Sequence, residues 1–246
     1  MSGAHLDHII LHTTDIDKAV NDFTAAGFTI LTRNDAGPNH GTESRFLIFS
    51  GGTYILLMQF TNAAKKNSHR LARFLETETG FVDYGLRVPD VVGAAQRFGD
   101  LGLTPSAVGE YRSKLADGTP WGVKLFTVGR GAPAGCDALP FFVEDIEGAT
   151  ARIPSYKPHP NGVTRIVRLD LESENPEEEA SFLRQAIEER GSGNVVNAGE
   201  CELAFRARGA KARTSGRGGI ISVVLAGAED RSFVCQNCQF RILASH

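Results

Sequence analysis

The feature that most constrains the fold of this sequence is an internal repeat near its N-terminus. The stretch DHIILHTTDIDKAVNDFTAAGF (7–28) aligns without a gap on VDYGLRVPDVVGAAQRFGDLGL (82–103), and Asp15 aligns with Asp90, a spacing of 75 residues. Each copy predicts a strand, an N-capping Asp, an amphipathic helix and a glycine in the left-handed position after the helix. The sequence therefore predicts a duplicated βα unit.

Each βα start is followed by short β-like runs, so each unit reads βαβββ. The first of these runs is FTILTRN (28–34), and a weaker third copy of the βα start begins at 163. Pro, Gly and polar residues between the second and third copies indicate a linker. The predicted divisions are a first βαβββ unit (1–61), a bridging helix (62–80), a second unit (81–147), a linker (148–162) and a divergent third unit (163–246).

Two histidines lie on one face of the first predicted strand. Residues of a strand alternate between its two faces, so Ile9 and Leu11 are expected to pack on the helix while His8 and His12 point the other way. The 75-residue repeat carries His8 onto Asp83, which is also titratable. If two such sheets pair, these polar faces enclose a shared cleft.

Composition excludes several classes of function. The net charge is −3, which gives no basic surface for nucleic acid. No apolar run approaches the roughly 20 residues of a membrane span, and the N-terminus lacks a signal peptide, so a cytoplasmic location is expected. No glycine-rich phosphate loop or dinucleotide fingerprint is present, which argues against a nucleotide cofactor.

The chain has four cysteines, and Cys235 and Cys238 have C-x-x-C spacing. This spacing occurs in zinc sites and in redox pairs. No second pair of ligands accompanies it, so we expect two partly buried thiols in a terminal hairpin.

The opening stretch resembles the start of a vicinal-oxygen-chelate (glyoxalase/bleomycin-resistance/extradiol-dioxygenase) module, and more narrowly the glyoxalase-like group. Further stretches carry this resemblance over about residues 5–170: HGTESRFLIFSGGTYILLMQF (40–60), RSKLADGTPWGVKLF (112–126), LPFFVED (139–145) and HPNGV (159–163). It implies an α+β fold of repeated βαβββ units, two of them paired around a cleft and a third, divergent unit at the C-terminus.

The resemblance also implies a divalent metal (Zn, Mn, Fe or Ni), held from the first and last strands of each unit. The matching positions are His8, Asp83 and Glu144, whereas Leu56 stands where this group has a glutamate. One imidazole and two carboxylates would hold a hard or borderline divalent ion with open positions.

Several residues, two of the metal positions among them, are predicted to act on the substrate. Glu144 or His8 would transfer a proton, and His12, which points the same way as His8, would contact the substrate or support the site. Residues expected to bind the ligand are His40, Arg45, Arg112 and Trp121.

The resemblance leaves more than one function open. The first is an enzyme that acts on a small oxygenated metabolite by proton transfer, of the lyase, isomerase or cyclase type. The second is a protein that sequesters a small molecule without chemistry, as bleomycin-resistance relatives do, and Leu56 favours it. An extradiol dioxygenase ranks last, because it needs two histidines and a carboxylate and only His8 occupies a ligand position. Units of this kind also pair between chains, so a homodimer is compatible with the sequence.

Overall fold

The computed structural model describes residues 3–36, 41–62, 69, 71, 79–129, 138–207 and 219–244. These residues form two large curled mixed sheets with helices packed between them, and one small two-stranded sheet, which confirms the α+β class. No helix of the described segments is long and apolar enough to cross a membrane.

The first sheet is formed by the two repeated units. Seven strands lie in the order β2-β3-β1-β4-β9-β7-β6, and the units join where β1 and β4 run antiparallel. A two-stranded sheet, β5-β8, lies beside it. The elements are β1 (His5–His12), α1 (Ile16–Ala25), β2 (Thr42–Ile48), β3 (Tyr54–Phe60), β4 (Gly80–Arg87), α2 (Val91–Asp100), β5 (Thr104–Pro105), β6 (Gly109–Lys114), β7 (Pro120–Phe126), β8 (Val128–Gly129) and β9 (Phe141–Glu147).

The 75-residue repeat is visible in how the two helices begin. The side chain of Asp15 accepts a hydrogen bond from the Lys18 amide at 2.9 Å, and that of Asp90 accepts one from the Gly93 amide at 2.9 Å. The two units therefore use the same N-cap at the same distance from their first strand.

The predicted strand at 28–34 is not formed as a strand. Leu31 makes an isolated bridge to Phe46 of β2, and Asp35 makes one to Leu115 just after β6. The segment therefore touches both edges of the first sheet, β2 through Leu31 and the end of β6 through Asp35, and it forms a continuous ladder with neither. By joining β2 to the β6 region, the segment closes the curl of the first sheet.

The second sheet holds the C-terminal third of the chain, after a short helix α3 (Ala149–Arg152). Six strands lie in the order β11-β12-β10-β13-β15-β14. The elements are β10 (Arg165–Ser173), α4 (Pro176–Ile187), β11 (Val195–Ala198), β12 (Cys201–Ala207), β13 (Ile220–Gly227), β14 (Arg231–Cys235) and β15 (Cys238–Ala244).

This sheet repeats the arrangement of the first one. Strand β10 is parallel to β12 and antiparallel to β13, as β1 is to β3 and β4. The ladder is irregular between Ile166 and Arg168, as it is between Leu6 and His8. Only residues 228–230 separate β13 from β14, so no helix intervenes there. The divergent third unit thus repeats the strand arrangement of the first sheet in a shorter form.

A continuous apolar core fills the layer between the two sheets. Phe23 of α1 is fully buried, and its ring lies 5.6 Å from that of Phe240 on β15, which in turn lies 5.5 Å from Phe81 on β4. The helices therefore cover one face of each sheet and leave the opposite, concave face of the first sheet for the site.

The C-terminal hairpin agrees with the expectation for the C-x-x-C pair. Cys235 and Cys238 lie opposite each other at the ends of β14 and β15, and both thiols are free and buried. Burial raises the pKa of Cys235 to about 12, which is typical of an inert thiol. Cys136 and nearly all of the predicted bridging helix (62–80) lie outside the described residues.

Candidate functional site

The alternation of strand β1 places its histidines on the concave face of the first sheet. Ile9 and Leu11 are fully buried in the core beneath the helices, whereas Ile10 belongs to a separate apolar cluster on the other face. His8 and His12 share the face of Ile10, and both are buried. Both histidines therefore lie on the face of the first sheet that is turned away from the helices.

The centre of this face is a buried pair formed by two consecutive residues. The ladder is irregular between Leu6 and His8, and Asp7 turns to the same side as His8. The Asp7 Oδ2 and His8 Nδ1 atoms are 2.6 Å apart, and the Asp7 side chain is completely buried. Burial alone would raise the pKa of Asp7, but contacts with His8 and Arg152 hold it well below its usual range. Because an ionised carboxylate only accepts hydrogen bonds, Nδ1 carries the proton in this pair.

Two arginines compensate the buried charge of Asp7. Arg87 on β4 donates to Asp7 through Nε and Nη2, and its Nε lies 3.2 Å from Asp145 on β9. Arg152, at the end of α3, donates to both oxygens of Asp7 at 2.8 and 3.0 Å and to Asp145 at 2.6 and 3.3 Å. Burial opposes the charge on Arg152, yet Tyr54 and the two carboxylates raise its pKa.

Aromatic rings hold the imidazole of His8 in place. The Tyr54 ring stacks on it at 4.6 Å with an interplanar angle of 5°, and the Phe141 ring meets it edge-on at 5.2 Å. A Cβ atom on Gly85 would lie 2.6 Å from the Phe141 ring, so a glycine here makes room for that ring. The imidazole is thus fixed by a carboxylate at its edge and by rings at its sides.

Trp121 lies on the same face, next to Arg33 of the segment between α1 and β2. The guanidinium of Arg33 lies 4.3 Å from the Trp121 ring and 5.3 Å from the Phe46 ring. Arg33 also donates to the backbone oxygen of Arg152 at 2.9 Å. Trp121 is buried, and its indole nitrogen has no hydrogen-bond partner within the described part of the chain. The role of Trp121 in ligand contact stays a prediction.

Glu144 does not lie with His8, contrary to the prediction. Its carboxylate accepts a hydrogen bond from the Val91 amide at the start of α2, at 3.0 Å. Gln59 does the same for the Ile16 amide at the start of α1, at 2.9 Å. Along β9, Phe142 faces the helix layer, so Glu144, two residues further, faces it as well. Glu144 therefore caps helix α2. Each unit supplies one such capping side chain from its last strand, Gln59 in the first unit and Glu144 in the second.

Arg45 and Arg112 are also absent from the concave face. Arg45 lies opposite Leu57, whose side chain belongs to the helix-side core, and it pairs with Glu43 at 2.7 Å. Arg112 pairs with Glu110 and Glu147 on the outside of β6, with 55% of its side chain exposed. In both strands the pairing register, which the sequence does not determine, directs the arginine side chain away from the concave face. His40 lies outside the described residues.

Comparisons with known proteins agree with this architecture. The sequence matches the profile of the glyoxalase-like domain family over residues 6–187, about three quarters of the chain. This chain belongs to the glyoxalase-like domain family. No protein with a curated description matches the sequence.

Solved structures similar to this glyoxalase-like protein share its fold at low sequence identity. A hypothetical protein from Staphylococcus aureus is 12% identical, with a TM-score of 0.72 and coverage of 98% of this chain and 100% of that one. A xylose isomerase-like TIM barrel/4-hydroxyphenylpyruvate dioxygenase fusion protein is 13% identical, with a TM-score of 0.53 and coverage of 92% of this chain and 36% of that one.

The predicted metal ligands do not assemble a site for a divalent ion. Among the residues that the structure describes, no three His, Cys, Asp or Glu side chains are grouped to hold a metal ion. Asp83 lies opposite Ile10 on the face of His8, whereas Glu144 faces the helices. Strand β3 places Tyr54, rather than Leu56, opposite His8, and burial raises the pKa of that phenol further above neutrality. The donor set of the glyoxalase-like protein therefore does not fit a metal held by His8, Asp83 and Glu144.

Three members of the site were not predicted from the sequence: Asp7, Asp145 and Arg152. Arg87, by contrast, follows Asp83 on the same strand face, where period-two alternation places it. Asp145 shares the face of Phe141 and Val143 and follows the predicted carboxylate, Glu144, by one residue. Arg152 lies in the predicted linker, where no local pattern indicates burial.

Proposed function

We propose that this protein is a glyoxalase-like enzyme that moves a proton on a small oxygenated metabolite, in a lyase, isomerase or cyclase reaction. His8 is the acid–base group and Asp7 orients it. The observation that carries this proposal is the buried contact of 2.6 Å between Asp7 and His8 on the concave face.

This pair is suited to proton transfer. With Nδ1 hydrogen-bonded to an ionised carboxylate, Nε2 is the nitrogen that takes or returns a proton, and the carboxylate stabilises the imidazolium that forms. The rings of Tyr54 and Phe141 limit rotation of the imidazole. Positioned acid–base groups of this kind contribute about 10²–10⁴-fold to rate.

The guanidinium of Arg87 is an argument that the substrate is oxygenated and anionic. Its Nε and Nη2 atoms are used by Asp7, whereas no described residue bonds its Nη1, and about 26% of its side chain is exposed. A guanidinium in this state has a donor left for a carboxylate or an enolate oxygen. We propose that Arg87 takes the binding role expected of Arg45 and Arg112.

Sequestration of a small molecule remains a second candidate function. It is favoured by the apolar and aromatic character of the concave face, where Ile10, Met58, Val82, Phe141 and Val143 form a cluster. A mostly apolar concavity with few polar groups is typical of ligand pockets in general.

Hydrogen–deuterium exchange separates the two functions. The protein is incubated in D2O with a panel of small 2-hydroxy acids, 2-oxo acids and 1,2-dicarbonyl compounds, and loss of carbon-bound proton signals is followed by NMR. We expect exchange with wild type, a loss of at least about 10²-fold in His8→Gln, and no change in Arg165→Gln, which alters an exposed arginine on the other sheet. Binding without exchange would favour sequestration and refute the enzyme.

A further inference from the structure

We infer that Arg152 is a positioning residue for the Asp7–His8 pair, so that the pair is completed by a segment outside the two βαβββ units. This inference rests on the proposed function. It assigns a role to the connection between the two sheets, which joins β9 to β10.

The guanidinium of Arg152 is almost entirely committed to this site. Its side chain is 4% exposed. The Nη2 and Nη1 atoms donate to the two oxygens of Asp7 at 2.8 and 3.0 Å, and Nε donates to Asp145 at 2.6 Å. A planar guanidinium that bonds two carboxylates in this way fixes their relative positions, because its donors have a rigid geometry.

Arg152 touches both of the groups that orient His8. Asp7 Oδ2 contacts His8 Nδ1 and also accepts from Arg152 Nη1. The same Nη1 donates to the Tyr54 hydroxyl at 3.1 Å, and the Tyr54 ring stacks on the imidazole. One side chain therefore sets the carboxylate at the edge of the imidazole and the ring on its face.

The backbone before and at Arg152 is tightly constrained. Gly148 precedes α3 with φ of +60°, and a Cβ atom there would lie 2.1 Å from the backbone oxygen of Pro120 at the start of β7. At the other end, Arg33 donates to the Arg152 carbonyl at 2.9 Å. Ile153 packs against the apolar cluster that contains Tyr54. The segment is thus anchored on both sides of the arginine.

Two substitutions of Arg152 test the inference in the full-length protein. Long-range ¹H–¹⁵N correlation spectra of histidine-labelled protein report which His8 nitrogen carries the proton, and a His8→Gln spectrum assigns the signals. In Arg152→Gln we expect loss of the Nδ1-protonated signature, and in Arg152→Lys, which keeps a charge, partial recovery. Arg165→Gln is the matched control and leaves the His8 signals unchanged. A folded Arg152→Gln protein with wild-type His8 signals would overturn the inference.

A backbone variant keeps the test decisive if Arg152→Gln does not fold. Gly148→Ala retains the guanidinium but forces its backbone away from Pro120, so we expect displaced His8 signals there too. Unmoved His8 signals in folded Gly148→Ala would equally reject the inference. Since these spectra need no substrate, failure of the deuterium-exchange assay in wild type would refute the proposed function without deciding the role of Arg152.

In the exchange assay, a positioning role predicts a lower kcat with little change in KM for Arg152→Gln, and recovery with lysine. A purely structural role predicts instead that the activity per folded molecule is unchanged.

Discussion

Replacement of Glu144 separates a helix cap from a catalytic carboxylate. In Glu144→Ala, helix α2 loses the hydrogen bond of 3.0 Å to the Val91 amide. Loss of such a cap costs about 0.5–2 kcal/mol, and loss of a negative charge at a helix N-terminus adds about 0.3–1 kcal/mol. We therefore expect a decrease of about 1–3 kcal/mol in the free energy of unfolding. For a chain of this length that corresponds to a fall of about 2–12 °C in Tm.

The matched variants are Glu144→Gln, Gln59→Ala and Glu144→Ala, compared by denaturant titration. The single tryptophan, Trp121, serves as the fluorescence probe. Glu144→Gln keeps an acceptor for the Val91 amide, so only the charge contribution of about 0.3–1 kcal/mol is lost. Gln59→Ala has the cost of one cap on α1, because Gln59 bonds the Ile16 amide in the same way. The assignment would be refuted if Glu144→Ala left stability unchanged but abolished deuterium exchange.

Three further predictions concern packing and pH. Gly85→Ala places a Cβ atom 2.6 Å from the Phe141 ring. We therefore expect a loss of about 1–3 kcal/mol in the free energy of unfolding. An unchanged denaturation midpoint would contradict this. Phe23→Ala removes a ring that is 0% exposed between the sheets. The same titration should show a loss of about 3–5 kcal/mol in the free energy of unfolding. A loss below about 1 kcal/mol would place Phe23 outside the core. Burial lowers the pKa of His159 in the folded protein, so the unfolded chain takes up a proton first and stability falls as the pH drops below about 6.5. Denaturant titrations at several pH values should show that stability falls less steeply with decreasing pH in His159→Gln than in wild type. The same pH dependence in both proteins would show that His159 is not its source.

Local sequence patterns were sufficient for the repeated units and for one face of the site. The caps at Asp15 and Asp90 lie within three residues of the amides that they bind, so their signal is local. The positions of His8 and His12 follow from strand alternation, which is also a short-range property.

The remaining residues depend on strand register and on distant segments. Glu144 and Asp145 are neighbours in the sequence, and only the pairing of β9 with β7 decides that Asp145 faces the site and Glu144 the helices. A shift of one residue in register exchanges the two faces. Arg152 reaches Asp7 across 145 positions of sequence. A single sequence contains no pattern that fixes such a contact.

Alternation also failed at β1 itself. The irregular pairing between Leu6 and His8 brings Asp7 to the same side as His8, whereas strict alternation places consecutive residues on opposite faces. The Asp7–His8 pair was therefore not foreseen, although both residues stand next to each other in the sequence.

The protonation of His8 in the wild-type protein tests the account most directly. A long-range ¹H–¹⁵N spectrum at neutral pH distinguishes the two neutral tautomers of its imidazole. The account predicts that Nδ1 carries the proton and bonds Asp7, leaving Nε2 as the nitrogen that exchanges protons with a substrate. A tautomer with the proton on Nε2 and none on Nδ1 would contradict it.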